Sequence, residues 1–330
     1  MRAFVLRPPL AGPEALHLVE KPEPVAGPGQ VLLAMRAVSL NYRDLLVARG
    51  QYGKLPVDRI PCSDGVGEVI AVGAGVTEVK PGERVAGCLM PGWVDGRLTS
   101  AKAATALGGA WDGVLAERVV LPASGVIPLP AHLSDAEGAC LPCAGVTAWH
   151  ALEGLAAGDT VLVLGTGGVA AIAIQLARAA GARVLVVSRS SAKEAAAREL
   201  GAHEFLVGDD WDDQTYQLTG GEGVDRVIEL GGPGTLPKSI RAVRMAGRIS
   251  LIGTISGNEG PVPTANLLRK GITLQGIFVG SRAHFAGLNK ALVVHGLRPR
   301  IDCSFAFTDA KAAFDHLAAG AHVGKVVIEL

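Results

Sequence analysis

The residues with the clearest chemical meaning form the run Val161-Leu-Val-Leu-Gly-Thr-Gly-Gly-Val-Ala170, an apolar strand that breaks into glycines and continues as Ala171-Ile-Ala-Ile-Gln-Leu-Ala-Arg178. Gly165 permits a tight turn out of the strand. Gly167 lets the backbone approach a bulky anion, and Gly168 and Val169 open a helix whose first amide groups face it. Ala170 stands where a third glycine often sits, a position that governs only the packing of helix on strand. A bare glycine pattern is weak evidence. Strand, glycine turn and helix in that order describe a cradle for the pyrophosphate of a dinucleotide.

The next strand selects among such cofactors. An acidic residue at its end would bind the 2′-hydroxyl of an NAD ribose. Here Val186-Val-Ser-Arg-Ser-Ser-Ala-Lys193 has none. Ser188, Arg189 and Lys193 offer a hydroxyl, a guanidinium and an ammonium, donors suited to a 2′-phosphate, although a solvated loop would use the same residues. NADPH is favoured over NADH.

Cys140 and Cys143 show a C-x-x-C spacing that invites a metal or redox reading. The five cysteines (Cys62, Cys88, Cys140, Cys143 and Cys303) are scattered and odd in number, which suits reduced thiols. Two small, soft side chains in an apolar segment are the simpler account of the pair.

These groups need elements to hold them. From residue 1 to about 123 the chain reads as strands and turns, at Ala3–Leu6, Gln30–Ala37, Gly67–Val72, Glu83–Gly87 and Leu115–Leu121, with Pro28-Gly29 and Pro81-Gly82 marking turns. From 124 apolar strands alternate with helices. The strands are Val161–Leu164, Val184–Val187, Glu204–Val207, Arg226–Leu230, Ile249–Ile252 and Leu274–Val279. The helices are Val169–Ala179, Ala192–Leu200, Thr235–Arg244 and Thr264–Arg269, with Ser191 and Glu194 spaced as a capping box. Six strands joined by crossovers predict an α/β fold, a parallel doubly wound sheet beside a β-barrel-like domain. A helix at Asp309–Ala318 and a strand at Lys325–Glu329 return the chain to the first domain. The expected division is 1–123, completed by 285–330, and 124–284.

Composition narrows the function classes. Hydrophobic residues make up 49% and charged residues 19%, with a formal charge of +0, so no basic surface for nucleic acid or anionic lipid is expected. No apolar run reaches the ~20 residues of a membrane span. MRAFVLRPPL lacks the pattern of a secretory signal, and a cytoplasmic location is expected.

Taken together, Ser39-Leu-Asn-Tyr-Arg-Asp44, Asp64-Gly-Val-Gly-Glu-Val69, Val79-Lys-Pro-Gly-Glu-Arg-Val85, Leu141-Pro-Cys-Ala-Gly-Val-Thr-Ala-Trp149, Gly165-Thr-Gly-Gly-Val169, Glu229-Leu-Gly-Gly232 and Gly324-Lys-Val-Val327 make the chain resemble the medium-chain dehydrogenase/reductase superfamily. The specific likeness is to its zinc-independent, quinone oxidoreductase-like branch. The resemblance runs nearly end to end. It implies a GroES-like barrel and a Rossmann domain, with the active site in the cleft between them. Zinc members hold catalytic metal with Cys, His and Cys. At those positions this chain has Asn41, Ser63 and Cys143, with Asp64 matching the acid beside the His. Amide and hydroxyl are poor substitutes for thiolate and imidazole. Cys62 is one residue out of register and, on a strand, should face the other way. The lobe that holds structural zinc in many relatives should fall near 88–111, where Cys88 is alone. No zinc is expected at either place.

Without a Lewis acid, hydride transfer suits acceptors that carry their own electron sink, namely quinones and α,β-unsaturated carbonyls. The resemblance implies Tyr52 as a proton donor and Asn41 as a hydrogen-bond donor to substrate or to the nicotinamide ribose, with Asp44 organising their loop. It further implies cofactor contacts from Thr147, Gly231, Gly253, Phe278, Gly280, Ser281 and Lys325. A homodimer through the sheet edge Ile272–Val279 is expected. His150 reads as a structural histidine. Two rivals stand. One is a dehydrogenase of simple alcohols, either metal-free or using Cys62, Asp64 and Cys143. The other is an NADPH-binding sensor or structural protein with little turnover.

Overall fold

The computed structural model describes residues 1–53 and 58–330. The chain divides into two compact units, Met1–Val146 with Val279–Leu330, and Thr147–Phe278. The first division lies further along the chain than residue 123. The reason is that Val126–Pro128 pairs with Arg84–Gly87 and the helix Asp135–Ala139 packs on the strands Gln30–Ser39 and Asp64–Val72. No helix among the described residues is long and apolar enough to cross a membrane.

The first unit is built from short strands with one buried face. β1 (Arg2–Leu6) and β2 (Leu16–Glu20) form an antiparallel pair. β3 (Gln30–Ser39), β4 (Asp64–Val72), β5 (Arg84–Gly87), β6 (Arg118–Pro122) and β7 (Val126–Pro128) join two strands from the far end of the chain, β14 (Ile301–Ala306) and β15 (Lys325–Glu329), in one sheet. The order is β14-β15-β3-β4-β5-β7, with β6 also against β3. Its core includes Phe4, Phe307 and Phe314, with the Phe4 and Phe307 rings edge to face at 5.2 Å. Register determines what the sheet presents. Ser39 pairs with both Asp64 and Val327, so the end of β3 and the starts of β4 and β15 meet at one sheet end. Asn41, Ser63 and Lys325 therefore belong to the same corner.

The second unit is the parallel doubly wound sheet. β8 (Thr160–Leu164), β9 (Arg183–Ser188), β10 (Glu204–Val207), β11 (Val224–Glu229), β12 (Val243–Leu251) and β13 (Thr273–Gly276) lie in the order β10-β9-β8-β11-β12-β13. The order reverses between β8 and β11, and at such a point ligands bind beyond the carboxyl ends of the strands. Val161, Leu162 and Val163 are fully buried, as a central parallel strand covered on both faces requires. The helix Gly168–Ala179 buries Ile172, Ile174 and Leu176, each contributing about 1.5–3 kcal/mol.

Several local expectations change. The Ser191–Glu194 capping box does not form. Ser191 begins a 3₁₀ turn, Ser191–Lys193, and the helix Glu194–Leu200 that follows has no side-chain cap. Ser134 and Glu137 make the full box instead. The expected helix Thr235–Arg244 is Leu236–Ala242, because Val243 turns extended and starts β12. β2, β7 and β14 were not expected. Along β14 half-buried and exposed positions alternate, but its polar residues mask the period in the sequence. The edge strand is shorter than Ile272–Val279, and β12 is its neighbour.

Candidate active site

The corner of the first unit gathers a buried polar cluster. Asn41, Asp44, Ser63, Asp64 and Lys325 are each 9% exposed or less. Asn41 sits at the start of the helix Tyr42–Ala48, and its backbone N–H donates to Asp44 Oδ2 at 2.8 Å. The Lys325 ammonium donates to Asn41 Oδ1 at 2.6 Å and to the Leu40 carbonyl. An ammonium only donates, so it fixes the amide oxygen toward itself and turns the NH₂ group away. Asn41 Nδ2 has no hydrogen-bond partner in its buried position, nor has Asp44 Oδ1. An unmet buried polar atom costs about 1–3 kcal/mol, and both atoms have hydrogen-bonding capacity to spare.

Asp44 is also electrically unusual. Burial raises its carboxyl to about 6, with Arg43 opposing and Asp64 reinforcing the shift. Arg43, itself 9% exposed, donates to the Leu107 carbonyl at 2.9 Å and stacks its guanidinium 5.2 Å from the centre of the Tyr52 ring. Tyr52 is thus gripped through its ring by the residue that faces Asp44 at 3.7 Å.

The positions corresponding to zinc ligands are otherwise engaged. Ser63 Oγ donates to Asp64 Oδ1 at 2.6 Å, and the Cys143 N–H donates to Asp64 Oδ2 at 2.8 Å. Burial, reinforced by the charge of Asp64, pushes the Cys143 thiol up to about 12. An amide already held by an ammonium and a hydroxyl that is donating, at the positions of a Cys and a His, do not fit a Cys–His–Cys centre. Cys62 does not face away on a strand as expected. It precedes β4 in the left-handed region, at φ 68, and packs in the core of the first unit. That bend depends on glycine. A Cβ on Gly113 would lie 2.1 Å from the Cys62 carbonyl oxygen. Cys140 is buried and, like Cys143, a free thiol.

In the second unit the site is made mainly of backbone. Gly165 has φ +96, and a Cβ there would meet nothing within 4 Å, so the turn borders open space. Its N–H donates to the Val187 carbonyl at 2.7 Å, tying the turn to the neighbouring strand. Gly167 caps the helix Gly168–Ala179 with no side chain satisfying the first amides, so those of Gly168 and Val169 are placed for an anion. The cradle fits a dinucleotide pyrophosphate. Ser188 ends β9, 8% exposed; Arg189 is exposed and Lys193 half-buried in the following turn.

Glu229, which the sequence reading used only as part of a motif, organises the neighbouring loop. Its carboxylate accepts from the N–H groups of Gly231 (2.8 Å) and Gly232 (3.0 Å), from Thr235 Oγ1 (2.6 Å) and from Ser239 Oγ. Gly253 is required by a close approach, since a Cβ would fall 1.9 Å from the Leu230 carbonyl oxygen.

The structure therefore brings Asn41, Asp44 and Lys325 together in one unit and Gly165, Gly167, Gly168, Val169 and Ser188 together in the other. Thr147 is 3% exposed, while Phe278 is 46% exposed. Gly280 lies where a Cβ would press on Val146 at 2.7 Å. Ser281 is occupied as a helix cap, its Oγ accepting from the His284 N–H at 3.2 Å. Lys325, implied as a cofactor contact, is 3% exposed and donates to Asn41 Oδ1. Arg43 and Glu229 were missed. Arg43 looks like an ordinary helix residue in the sequence, whereas an acid closing an apolar strand before Gly-Gly was a usable signal for Glu229.

Residues 27–131 match the alcohol dehydrogenase GroES-like domain family, and 168–293 the zinc-binding dehydrogenase family. A zinc-type alcohol dehydrogenase-like protein of Schizosaccharomyces pombe is 39% identical over 319 residues, 92% of this chain and 91% of its own. The acryloyl-coenzyme A reductase of Metallosphaera sedula is 28% identical over 340 residues, 99% of both chains. A solved structure assigned as an alcohol dehydrogenase, from Sinorhizobium meliloti 1021, superposes with a TM-score of 0.94 at 42% identity, covering 100% of this chain and 98% of that one.

Proposed function

The chain belongs to the medium-chain dehydrogenase/reductase superfamily and is an NAD(P)H-dependent oxidoreductase, and from that premise we propose that it uses NADPH, without zinc, to reduce a quinone or an α,β-unsaturated carbonyl. The observation that carries this reading is the Asn41 amide. Lys325 holds its oxygen and leaves a buried NH₂ without a partner at the position where zinc relatives have a metal ligand. One fixed N–H donor is a modest electrophile. It suits an acceptor whose negative charge is already spread by conjugation better than an isolated ketone, whose alkoxide needs stronger stabilisation.

NADPH, when bound, supplies the hydride. Gly165, Gly167 and the first turn of the helix Gly168–Ala179 hold its pyrophosphate, and Ser188, Arg189 and Lys193 its 2′-phosphate. Asn41 Nδ2 donates to the acceptor oxygen as charge develops there. Tyr52, its ring fixed by Arg43, delivers the proton. In this reading Asp44 holds the Asn41 loop, and the protein pairs with a second copy through β13.

Conversion of a simple alcohol or aldehyde is a second reading, favoured by the alcohol dehydrogenase names among the relatives. A panel of quinones, enones, enoyl thioesters, aldehydes and alcohols, followed by nicotinamide absorbance, separates the two. Conjugated acceptors should dominate, and Tyr52→Phe should lower their kcat about 100-fold with little change in the KM for NADPH. Turnover confined to simple alcohols would sink the proposal.

A further inference from the structure

β14 carries a second group of chemically capable side chains, away from the residues used above. In a regular strand neighbouring side chains point to opposite faces. Here the pairing of β14 with β15 shifts register between Ile301 and Cys303, a bulge that leaves Asp302 without a paired residue on β15. The Asp302 carboxylate and the Cys303 thiol, neighbours in sequence, each bring a ligand atom to one place. His316, from the helix Ala310–Ala319, completes the group, its Nε2 2.8 Å from Asp302 Oδ2. One ligand atom from each of the three residues lies within 4.8 Å of the others.

We infer that Asp302, Cys303 and His316 form a binding site for a thiophilic divalent cation of the zinc class. A sulfur, an imidazole nitrogen and a carboxylate oxygen are the three atom types zinc takes, and three protein ligands leave a fourth position for water. Ligand atoms around tetrahedral zinc, at about 2.0–2.3 Å from the metal, lie roughly 3.3–3.8 Å apart, between the 2.8 Å of the His316–Asp302 pair and the 4.8 Å that bounds the group, so it closes on an ion with side-chain movements of about an ångström. The supporting contacts also exist. Val323 N–H donates to Asp302 Oδ1 at 2.9 Å, holding the carboxylate by its other oxygen. The Phe305 ring lies 5.8 Å from that of His316, tilted against it. A hydrogen bond that holds a ligand in this way is typically worth about 10–100-fold in metal affinity. Asp302 and His316 reach solvent, which provides the entry path. On binding, the Cys303 thiol gives up its proton to solvent and the His316–Asp302 hydrogen bond is exchanged for two metal bonds. The ion would fasten β14 to the helix Ala310–Ala319 and so brace the strand beside β15, which begins at Lys325.

Full-length protein, stripped with a chelator, is titrated with Co²⁺ and read by absorbance. The expected result is a sulfur-to-cobalt charge-transfer band with visible bands of tetrahedral intensity, saturating at one equivalent, displaced by Zn²⁺ and accompanied by a higher Tm. Cys303→Ser should abolish the charge-transfer band. His316→Ala should weaken binding at least about tenfold, with the metal-free Tm of both variants showing that the fold is kept. Absence of a thiolate band would overturn the inference. So would a band that survives Cys303→Ser and disappears in Cys143→Ser, since that places the ion at the Asp64 corner. Neither outcome depends on which acceptor the enzyme reduces.

Discussion

Each unit buries a carboxylate at its site, and the two are treated in opposite ways. Glu229 is fully buried and meets four donors, two backbone N–H groups and two hydroxyls. Asp44 is equally buried, but one oxygen accepts from Asn41 N–H while the other has no hydrogen-bond partner, and its carboxyl is raised to about 6. The first carboxylate shapes a loop whose amides and glycines must be rigid before a cofactor arrives. The second lies in a corner where charge is held at a cost, beside an amide whose donor group is unspent. Satisfied polarity marks the scaffold; unsatisfied polarity marks where chemistry is proposed.

Replacing Glu229 by Ala should have the largest effect, because it leaves buried donors unmet. Stability should fall by about 3–5 kcal/mol, read from the denaturant midpoint, with Glu229→Gln milder. A neutral result would erase the contrast. Asp44→Asn tests the other carboxylate. Its folded pKa, about 6, lies above its ordinary 3.8, so between these values the folded state holds more protons. Wild-type stability should therefore decline as pH rises through about 4–6, by as much as about 3 kcal/mol. That decline should be absent in Asp44→Asn, where Arg43, Asp64 and Lys325 remain as the charged neighbours. Thermal unfolding against pH reads it.

Lys325→Met sharpens the role of the orphan amide. Freed from the ammonium, Asn41 can flip, and kcat for a conjugated acceptor should fall about 100-fold while the KM for NADPH stays within about threefold. Asn41→Ala should give the same loss, and the double variant no further loss. Arg189→Ala, on the backbone-built side, should have the smallest effect, lowering kcat/KM about tenfold with NADPH and leaving NADH unchanged.

Legibility in the sequence followed the range of the interactions. The glycine cradle was readable because Gly165 to Val169 are consecutive and their role is local backbone geometry. The parallel strands were readable from their apolar stretches, such as the fully buried Val161, Leu162 and Val163 at the centre of the sheet. The Asn41 corner was readable only residue by residue. Its assembly depends on Ser39 pairing with both Asp64 and Val327, and no local pattern carries that register. Lys325 illustrates the consequence: only the β3–β15 pairing shows its ammonium against Asn41. Arg43 was hidden for the same reason, since its partners Leu107 and Tyr52 come from separate loops.

The most direct measurement of the metal-free reading is the rate of NADPH-linked reduction of a conjugated acceptor after exhaustive chelation, repeated after zinc is returned, in wild-type protein and in Cys303→Ser. An unchanged rate in all four samples is expected, because Asn41 and Lys325 do the work a metal would do. A rate that collapses on chelation and is restored by zinc in both proteins would contradict it.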